Sequence, residues 1–103
     1  MVKVKVLYGG WLIEITRTNL EEIEIDKDNA TLKDLLCILM KRYGYAFKFR
    51  VYNCDENMLS QEITVIHNGI SITADNLHNI TLKNDDFIAI VPPLAGGGLL
   101  NNT

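Results

Sequence analysis

One amphipathic helix with a single apolar stripe is the feature that most constrains this chain of 103 residues. Apolar side chains recur at helical spacing after Thr31, at Leu32, Leu35, Leu36, Leu39, Met40 and Tyr43. Thr31 and Asp34 have the spacing of a capping box, and Gly44 stands where a left-handed residue ends a helix, so we expect the helix to stop at Tyr43. A helix with only one apolar face needs a second layer to cover that face.

Short strands are predicted on both sides of this helix. Alternating or continuous apolar patterns mark the segments 2–8, 23–25, 63–66, 70–72 and 87–91. Asn68-Gly69 is the typical pair of a two-residue hairpin turn. We therefore expect an α+β fold in which one mixed sheet packs on one main helix. If the first and last strands pair at its centre, the arrangement is a ubiquitin-like β-grasp.

Other segments carry weaker patterns. Residues 11–18 fit either a short helical turn or a strand, with Trp11 expected to cover one end of the core. The alternation from 47 to 52 predicts an extra strand or a modified loop that faces a partner. Residues 53–61 are polar and predict a loop, and Asn84-Asp85 predicts a turn before the last strand.

Composition and charge argue against nucleic-acid and membrane partners. Ten basic and 13 acidic residues give a net charge of −3, which argues against nucleic acid as a partner. No apolar run is long enough to cross a membrane and no signal sequence begins the chain, so we expect a cytoplasmic protein without a membrane partner. The acidic cluster is interpreted as a solvated edge or, alternatively, a face for a basic partner: Glu21, Glu22, Glu24, Asp26 and Asp28.

The cysteines and histidines offer no obvious chemistry. Cys37 and Cys54 are predicted to be free thiols, with Cys37 packed as a small apolar residue beneath a loop. His67 and His78 have no carboxylate or cysteine at ligand spacing, so no metal site and no general base is predicted. The chain is therefore not expected to be an enzyme.

The end of the last strand is unusual. Pro92 and Pro93 cannot donate to a sheet ladder, so they stop the strand and direct the chain outwards. A slim run, Leu94-Ala95-Gly96-Gly97, follows them, and six further residues complete the sequence. Such a narrow tail suits a protein whose own carboxylate reacts in the site of a partner.

Four pieces in register resemble the MoaD and ThiS sulfur carriers. They are the helix start 30–36, the hairpin turn 67–69, the approach 79–86, and the last strand with its Pro-Pro-Leu-Ala-Gly-Gly tail, 86–97. The resemblance covers residues 1–97, and residues 45–61 fit it least. His67 and Asp85 depart from the apolar residue and the turn glycine of the family.

The resemblance implies a carrier that binds no cofactor itself. An adenylating enzyme of the MoeB/ThiF type would use ATP and Mg to activate the carboxylate of Gly97, and a sulfur donor would convert it to a thiocarboxylate. Pro92, Pro93, Leu94, Ala95 and Gly96 would form the tail inserted into the partner. A MoaE-like large subunit is a further implied partner, with this chain as its non-catalytic small subunit.

The extension after Gly97 conflicts with this chemistry, because a peptide bond leaves no free carboxylate there. We expect a domain of residues 1–97 and a flexible extension, 98–103, which a protease removes after Gly97 or, alternatively, after Gly98. Two other functions remain open: a ubiquitin-like modifier conjugated to lysines through the diglycine, and a β-grasp interaction module that is never activated.

Overall fold

The computed structural model describes residues 1–93. The predictions about Leu94, Ala95, Gly96, Gly97, Gly98 and the extension 98–103 lie outside the described residues. Among residues 1–93, no helix combines the length and the apolar character that crossing a membrane requires.

Seven strands, three α-helices and one 3₁₀ helix make up the described chain. In order they are β1 (Val2–Tyr8), α1 (Leu12–Thr16), β2 (Leu20–Ile25), α2 (Leu32–Tyr43), α3 (Tyr45–Arg50), β3 (Tyr52–Asn53), β4 (Met58–Leu59), β5 (Thr64–His67), β6 (Ile70–Ile72), a 3₁₀ helix (Ala74–Asn79) and β7 (Phe87–Val91). The ambiguous 11–18 segment therefore contains a short helix.

The main sheet has the strand order β2-β1-β7-β5-β6, with the first and last strands paired at its centre. That central pair is parallel and every other neighbouring pair is antiparallel. β3 and β4 form a separate two-stranded hairpin. The predicted mixed sheet packed on a helix, the ubiquitin-like β-grasp, is confirmed.

Helix α2 forms as its sequence predicts. The Thr31 side chain accepts from the Asp34 N–H at 3.2 Å, and the Asp34 carboxylate accepts from the Thr31 N–H at 2.9 Å, which completes the capping box. The helix ends at Tyr43, where Gly44 adopts φ 77° and ψ −150° rather than a left-handed helical conformation. The apolar stripe lies in the core with the inner faces of the central strands: Val4, Val6, Tyr8, Leu12, Ile23, Leu32, Leu35, Leu36, Leu39, Val65, Ile88 and Ile90.

The edge strand β2 is tied to α2 through one carboxylate. The hydroxyls of Tyr8 and Tyr43 both donate to Glu21, and Arg42 pairs with the other oxygen of that carboxylate at 3.0 Å. The Glu21 side chain is only 18% exposed, so it is not part of a solvated edge as predicted. The pKa of both tyrosines is raised, mainly by burial and then by the hydrogen bond to the negatively charged Glu21.

Residues 44–61, hereafter the connecting segment, differ from the prediction. The alternating stretch from Phe47 is not a strand but α3, which starts directly after Gly44. The alternation would place Phe47, Phe49 and Val51 on one face of a strand. The helix instead buries Phe47 and its C-cap residue Val51, and it leaves Phe49 exposed. Residues four apart share a helix face, and burial of that pair against the core decides the structure.

The prediction of two free thiols is also wrong. Cys37 on α2 and Cys54 after β3 form a disulfide, with their Cα atoms 5.2 Å apart. The predicted 53–61 loop holds the short hairpin β3–β4, and α3 lies between the two cysteines and brings them together. The bond therefore attaches the connecting segment to the main helix.

Candidate functional site: the tail exit and the outer sheet face

The tail exit is the end of β7, where the chain leaves the centre of the sheet. β7 runs parallel to β1 and antiparallel to β5, so its last residue, Val91, is flanked on both sides. The Gly9 N–H donates to the Ile90 carbonyl at 3.1 Å and continues the β1 side of the ladder to this point. Pro92, half-buried, and Pro93, exposed, come next, and neither has an N–H for the ladder.

The start of β7 is fixed by a polar cluster around Asp86. This carboxylate accepts from the Asn68 side chain at 2.9 Å and from the Lys83 N–H at 2.9 Å, and it lies 2.8 Å from His67 Nε2. The prediction that His67 has no carboxylate partner is therefore wrong, because the hairpin turn and the β7 turn meet in space. Burial disfavours the charged form, but the hydrogen bonds from His67, Asn68 and Lys83 outweigh it and lower the pKa of Asp86.

An apolar row crosses the outer face of the sheet, the face turned away from α2. Directly paired residues lie on the same face of a sheet. The pairs Leu20–Leu7, Leu7–Ala89 and Ala89–Ile66 therefore form one continuous row over four strands. Leu20 is 48% exposed at the edge, and Leu7 and Ile66 are half-buried. Ala89, between Leu7 and Ile66, is only 8% exposed, so the exposed part of the row lies on its flanking leucines and isoleucine.

The two ends of this outer face differ in polarity. Phe87, on the outer face of β7, is 41% exposed and pairs with Lys5. Lys5 in turn pairs with Glu22, and Lys3 with Glu24, so charged pairs lie beside the apolar row at the end far from the tail. Protein interfaces have an apolar centre with a polar rim, and here the charged pairs border the apolar row on one side.

A second surface borders the tail exit. Trp11 follows the Gly9-Gly10 turn, and the Arg50 guanidinium lies 4.0 Å from its ring centroid, a cation–π contact that joins α3 to this corner. On the outside of α3, the rings of Tyr45 and Phe49 are 5.0 Å apart and are 71% and 75% exposed. A groove of about 440 Å³ lies between Phe49 and the hairpin residue Met58.

The polar clusters among the described residues have structural hydrogen bonds. No group of three or more His, Cys, Asp or Glu within residues 1–93 could hold a metal ion. Each oxygen of the Asp86 carboxylate already has a hydrogen-bond partner within the fold, so this cluster has a structural role.

Of the predicted site residues, Pro92 and Pro93 lie at the tail exit, and the others are outside residues 1–93. The sequence reasoning did not identify the apolar row or the Trp11–Arg50 contact. The row depends on register, which only the pairing of the strands reveals. A partial signal was present, because Leu7 and Ile66 each stand one position out of phase with the buried residues of their strands.

The sequence profile of the ThiS family matches residues 6–97. The chain belongs to the ThiS family. The matched range includes both surfaces described above and ends at the second glycine of the tail. The resemblance to MoaD- and ThiS-like carriers is confirmed. None of the curated proteins compared matches the chain.

Solved structures of archaeal proteins resemble the chain along nearly its whole length. A Pyrococcus furiosus protein described as molybdopterin converting factor, subunit 1, is 29% identical, with a TM-score of 0.70 over 91% of this chain and 100% of that one. The small archaeal modifier protein 1 of Methanosarcina acetivorans is also 29% identical, with a TM-score of 0.69 over 94% of this chain and 98% of that one. SAMP1 of Haloferax volcanii is 25% identical, with a TM-score of 0.74 over 92% and 99%.

These likenesses define the function at a coarse level. The protein is a sulfur carrier or a ubiquitin-like modifier of the β-grasp type. Members of the family partner with activating enzymes and with MoaE-like subunits.

Proposed function

We propose that this protein is a non-catalytic sulfur carrier whose Gly97 carboxylate, freed by removal of residues 98–103, is adenylated and converted to a thiocarboxylate. The observation that carries the proposal is the family match, which ends at Gly97 and leaves six residues beyond it. The tail exit supports it, because a strand at the sheet centre leads into two prolines that cannot extend the ladder.

The proposed chemistry has three steps. A protease adds water across the Gly97–Gly98 peptide bond, which leaves a carboxylate on Gly97 and an amine on Gly98. The carboxylate then attacks the α-phosphorus of ATP in the activating enzyme, and pyrophosphate leaves with its Mg. A sulfide equivalent from a sulfur donor attacks the carbonyl carbon of the acyl-adenylate, and AMP leaves with the electrons of the broken C–O bond.

The described residues of the carrier would bind and orient. The apolar row, with Leu7, Ala89 and Ile66 at its centre, would dock on the activating enzyme, while Pro92 and Pro93 aim the tail into its site. Apolar burial of this kind supplies affinity without any group that must react. A MoaE-like large subunit would use the same face and tail.

A reconstituted activation reaction tests the proposal. We would mix a chain ending at Gly97 with its cognate activating enzyme, MgATP and a sulfur donor, and measure pyrophosphate release and the intact mass. We expect pyrophosphate release and replacement of one oxygen by sulfur. The matched controls are the chain ending at Thr103, which should be inert, and the chain ending at Gly98. If only the chain ending at Gly98 releases pyrophosphate, the reacting residue is Gly98 and the assignment to Gly97 is wrong. If neither chain releases pyrophosphate, the protein is an interaction module and the whole proposal is wrong.

Protein conjugation is a second candidate function, favoured by the likeness to the small archaeal modifier protein 1 of Methanosarcina acetivorans. In that reaction a lysine amine of another protein attacks the acyl-adenylate, AMP leaves, and an isopeptide bond forms. Mass spectrometry of the host proteome distinguishes the two functions. A tail remnant on lysines of other proteins indicates a modifier, and its absence beside a thiocarboxylate indicates a carrier alone.

A further inference from the structure

The Gly9-Gly10 turn lies against the first residues of the tail. A Cβ atom built on Gly9 would be 2.8 Å from Val91 Cγ1, and one built on Gly10 would be 2.7 Å from Pro92 Cγ. Carbon atoms in favourable contact are about 3.5–4.0 Å apart. A side chain at Gly9 would therefore have to displace the Val91 side chain, and one at Gly10 would have to displace the ring of Pro92, which is bonded to its own backbone.

The turn itself has little freedom to move away. The Gly9 N–H donates to the Ile90 carbonyl at 3.1 Å, on the side of β7. The carbonyls of Gly9 and Gly10 accept from the N–H groups of Leu12 and Ile13, each at 3.2 Å, on the side of α1. The turn is thus held from both sides, whereas Pro92 and Pro93 have no N–H to donate to the ladder.

We propose that Gly9 and Gly10 form a seat that sets the direction in which the tail leaves the sheet, and that they are positioning residues for the reaction at Gly97. The effect on the reaction rests on the proposed function, whereas the seat is a property of the protein alone. A stretch of two prolines is stiff, so a change of direction at Pro92 is passed on to Pro93. A reacting group misplaced by about 1 Å can cost a large factor in rate.

The chain contains a control for the strain of a positive φ without a new contact. Gly10 has φ +56°, so alanine there adds strain as well as a contact with Pro92. Gly44 has φ +77° with nothing within 4 Å of a Cβ, so Gly44→Ala adds strain alone. Gly9 does not have a positive φ, so Gly9→Ala tests the contact without that strain.

The first experiment uses the full chain and no partner. In the wild-type protein we expect an NMR cross-peak between the Gly10 α-protons and the ring protons of Pro92. In Gly9→Ala we expect this cross-peak to weaken and the melting temperature to fall, and a second substitution, Val91→Ala, should restore both by removing the methyl group that is contacted. If the wild-type cross-peak is absent, or if Val91→Ala gives no rescue, Gly9 and Gly10 do not set the direction of the tail.

The second experiment measures activation of chains ending at Gly97. We expect Gly10→Ala to lower kcat for pyrophosphate release about tenfold with little change in KM, because the outer face still docks while the tail is misdirected. Gly44→Ala should keep the wild-type kcat, and Pro92→Ala added to Gly10→Ala should recover part of the loss. Equal kcat values in Gly10→Ala and Gly44→Ala would contradict a positioning role. If the wild-type chain ending at Gly97 is itself inert, the proposed function is wrong. The NMR cross-peak and its rescue by Val91→Ala then test on their own whether Gly9 and Gly10 direct the tail.

Discussion

The sheet with α2 and the connecting segment reach stable structure by different routes. In the sheet and α2, local patterns and long-range packing agree, as in the capping box of Thr31 and Asp34 and the buried stripe beneath β1 and β7. In the connecting segment, the local alternation from Phe47 to Tyr52 favours a strand, and burial imposes a helix. The segment is then attached to α2 by the Cys37–Cys54 disulfide. Tertiary contacts override local preference where the local signal is short.

The largest expected effect tests whether the connecting segment depends on one face of α3. Phe47 is fully buried and Phe49 is 75% exposed, although both belong to the same alternating pattern. Phe47→Ala should lower the free energy of unfolding by about 3–5 kcal/mol, and Phe49→Ala should change it by less than about 0.5 kcal/mol. Denaturant unfolding measures both. Equal losses would mean that the two rings share one buried face, as in a strand.

The next effect concerns the disulfide between residues 17 apart in sequence. A bond that closes a loop of this size contributes about 3 kcal/mol, so a reductant should lower the melting temperature of the wild-type protein. Hydrogen exchange should rise in the connecting segment more than in the sheet. The control is Cys54→Ser, which should melt at the same temperature with and without reductant. If the reductant leaves the melting temperature of the wild-type protein unchanged, the Cys37–Cys54 disulfide is contradicted.

A smaller effect tests the attachment of β2 to α2. Glu21→Gln removes the negative charge that accepts hydrogen bonds from two tyrosine hydroxyls and Arg42. The free energy of unfolding should therefore fall by about 1–3 kcal/mol. Glu22→Gln, on the exposed outer face, is the control and should change it by less than about 0.5 kcal/mol. If both variants are as stable as the wild type, Glu21 only contributes to a solvated edge.

The smallest effect is the acid dependence of stability from Asp86. Its pKa is lower in the folded than in the unfolded state, so the folded protein binds fewer protons there. The contribution is complete above the unfolded value of about 3.9 and is lost as the pH falls through the folded pKa. Asp86→Asn should flatten the decline of unfolding free energy between about pH 5 and pH 2, whereas Asp85→Asn, in an exposed turn with φ 70°, should keep it. Identical slopes in all three proteins would rule out this contribution.

The sequence alone predicts the main helix, the sheet strands and the hairpin at Asn68-Gly69, because each depends on a local period or a local turn. It does not predict α3, since Phe47 and Val51 satisfy both a period of two and a spacing of four. Nor does it reveal pairings that depend on the finished fold. Cys37 with Cys54 and His67 with Asp86 are far apart in sequence and meet only when α3 or β7 is in place.

The candidate site divides in the same way. The exit at Pro92 and Pro93 follows from proline chemistry and could be predicted, since no proline donates to a ladder. The apolar row through Leu7, Ala89 and Ile66 depends on strand register, and the seat at Gly9 and Gly10 depends on how closely the β1–α1 turn approaches β7. Both depend on how separate elements are placed in space, which a pattern of residues along the sequence does not specify.

The intact mass of the protein recovered from its native host tests the central claim most directly. The account predicts a chain that ends at Gly97, with a fraction in which sulfur replaces one oxygen of the terminal carboxylate. A mass that always includes Thr103 would contradict it, because the carboxylate would then never be released for activation.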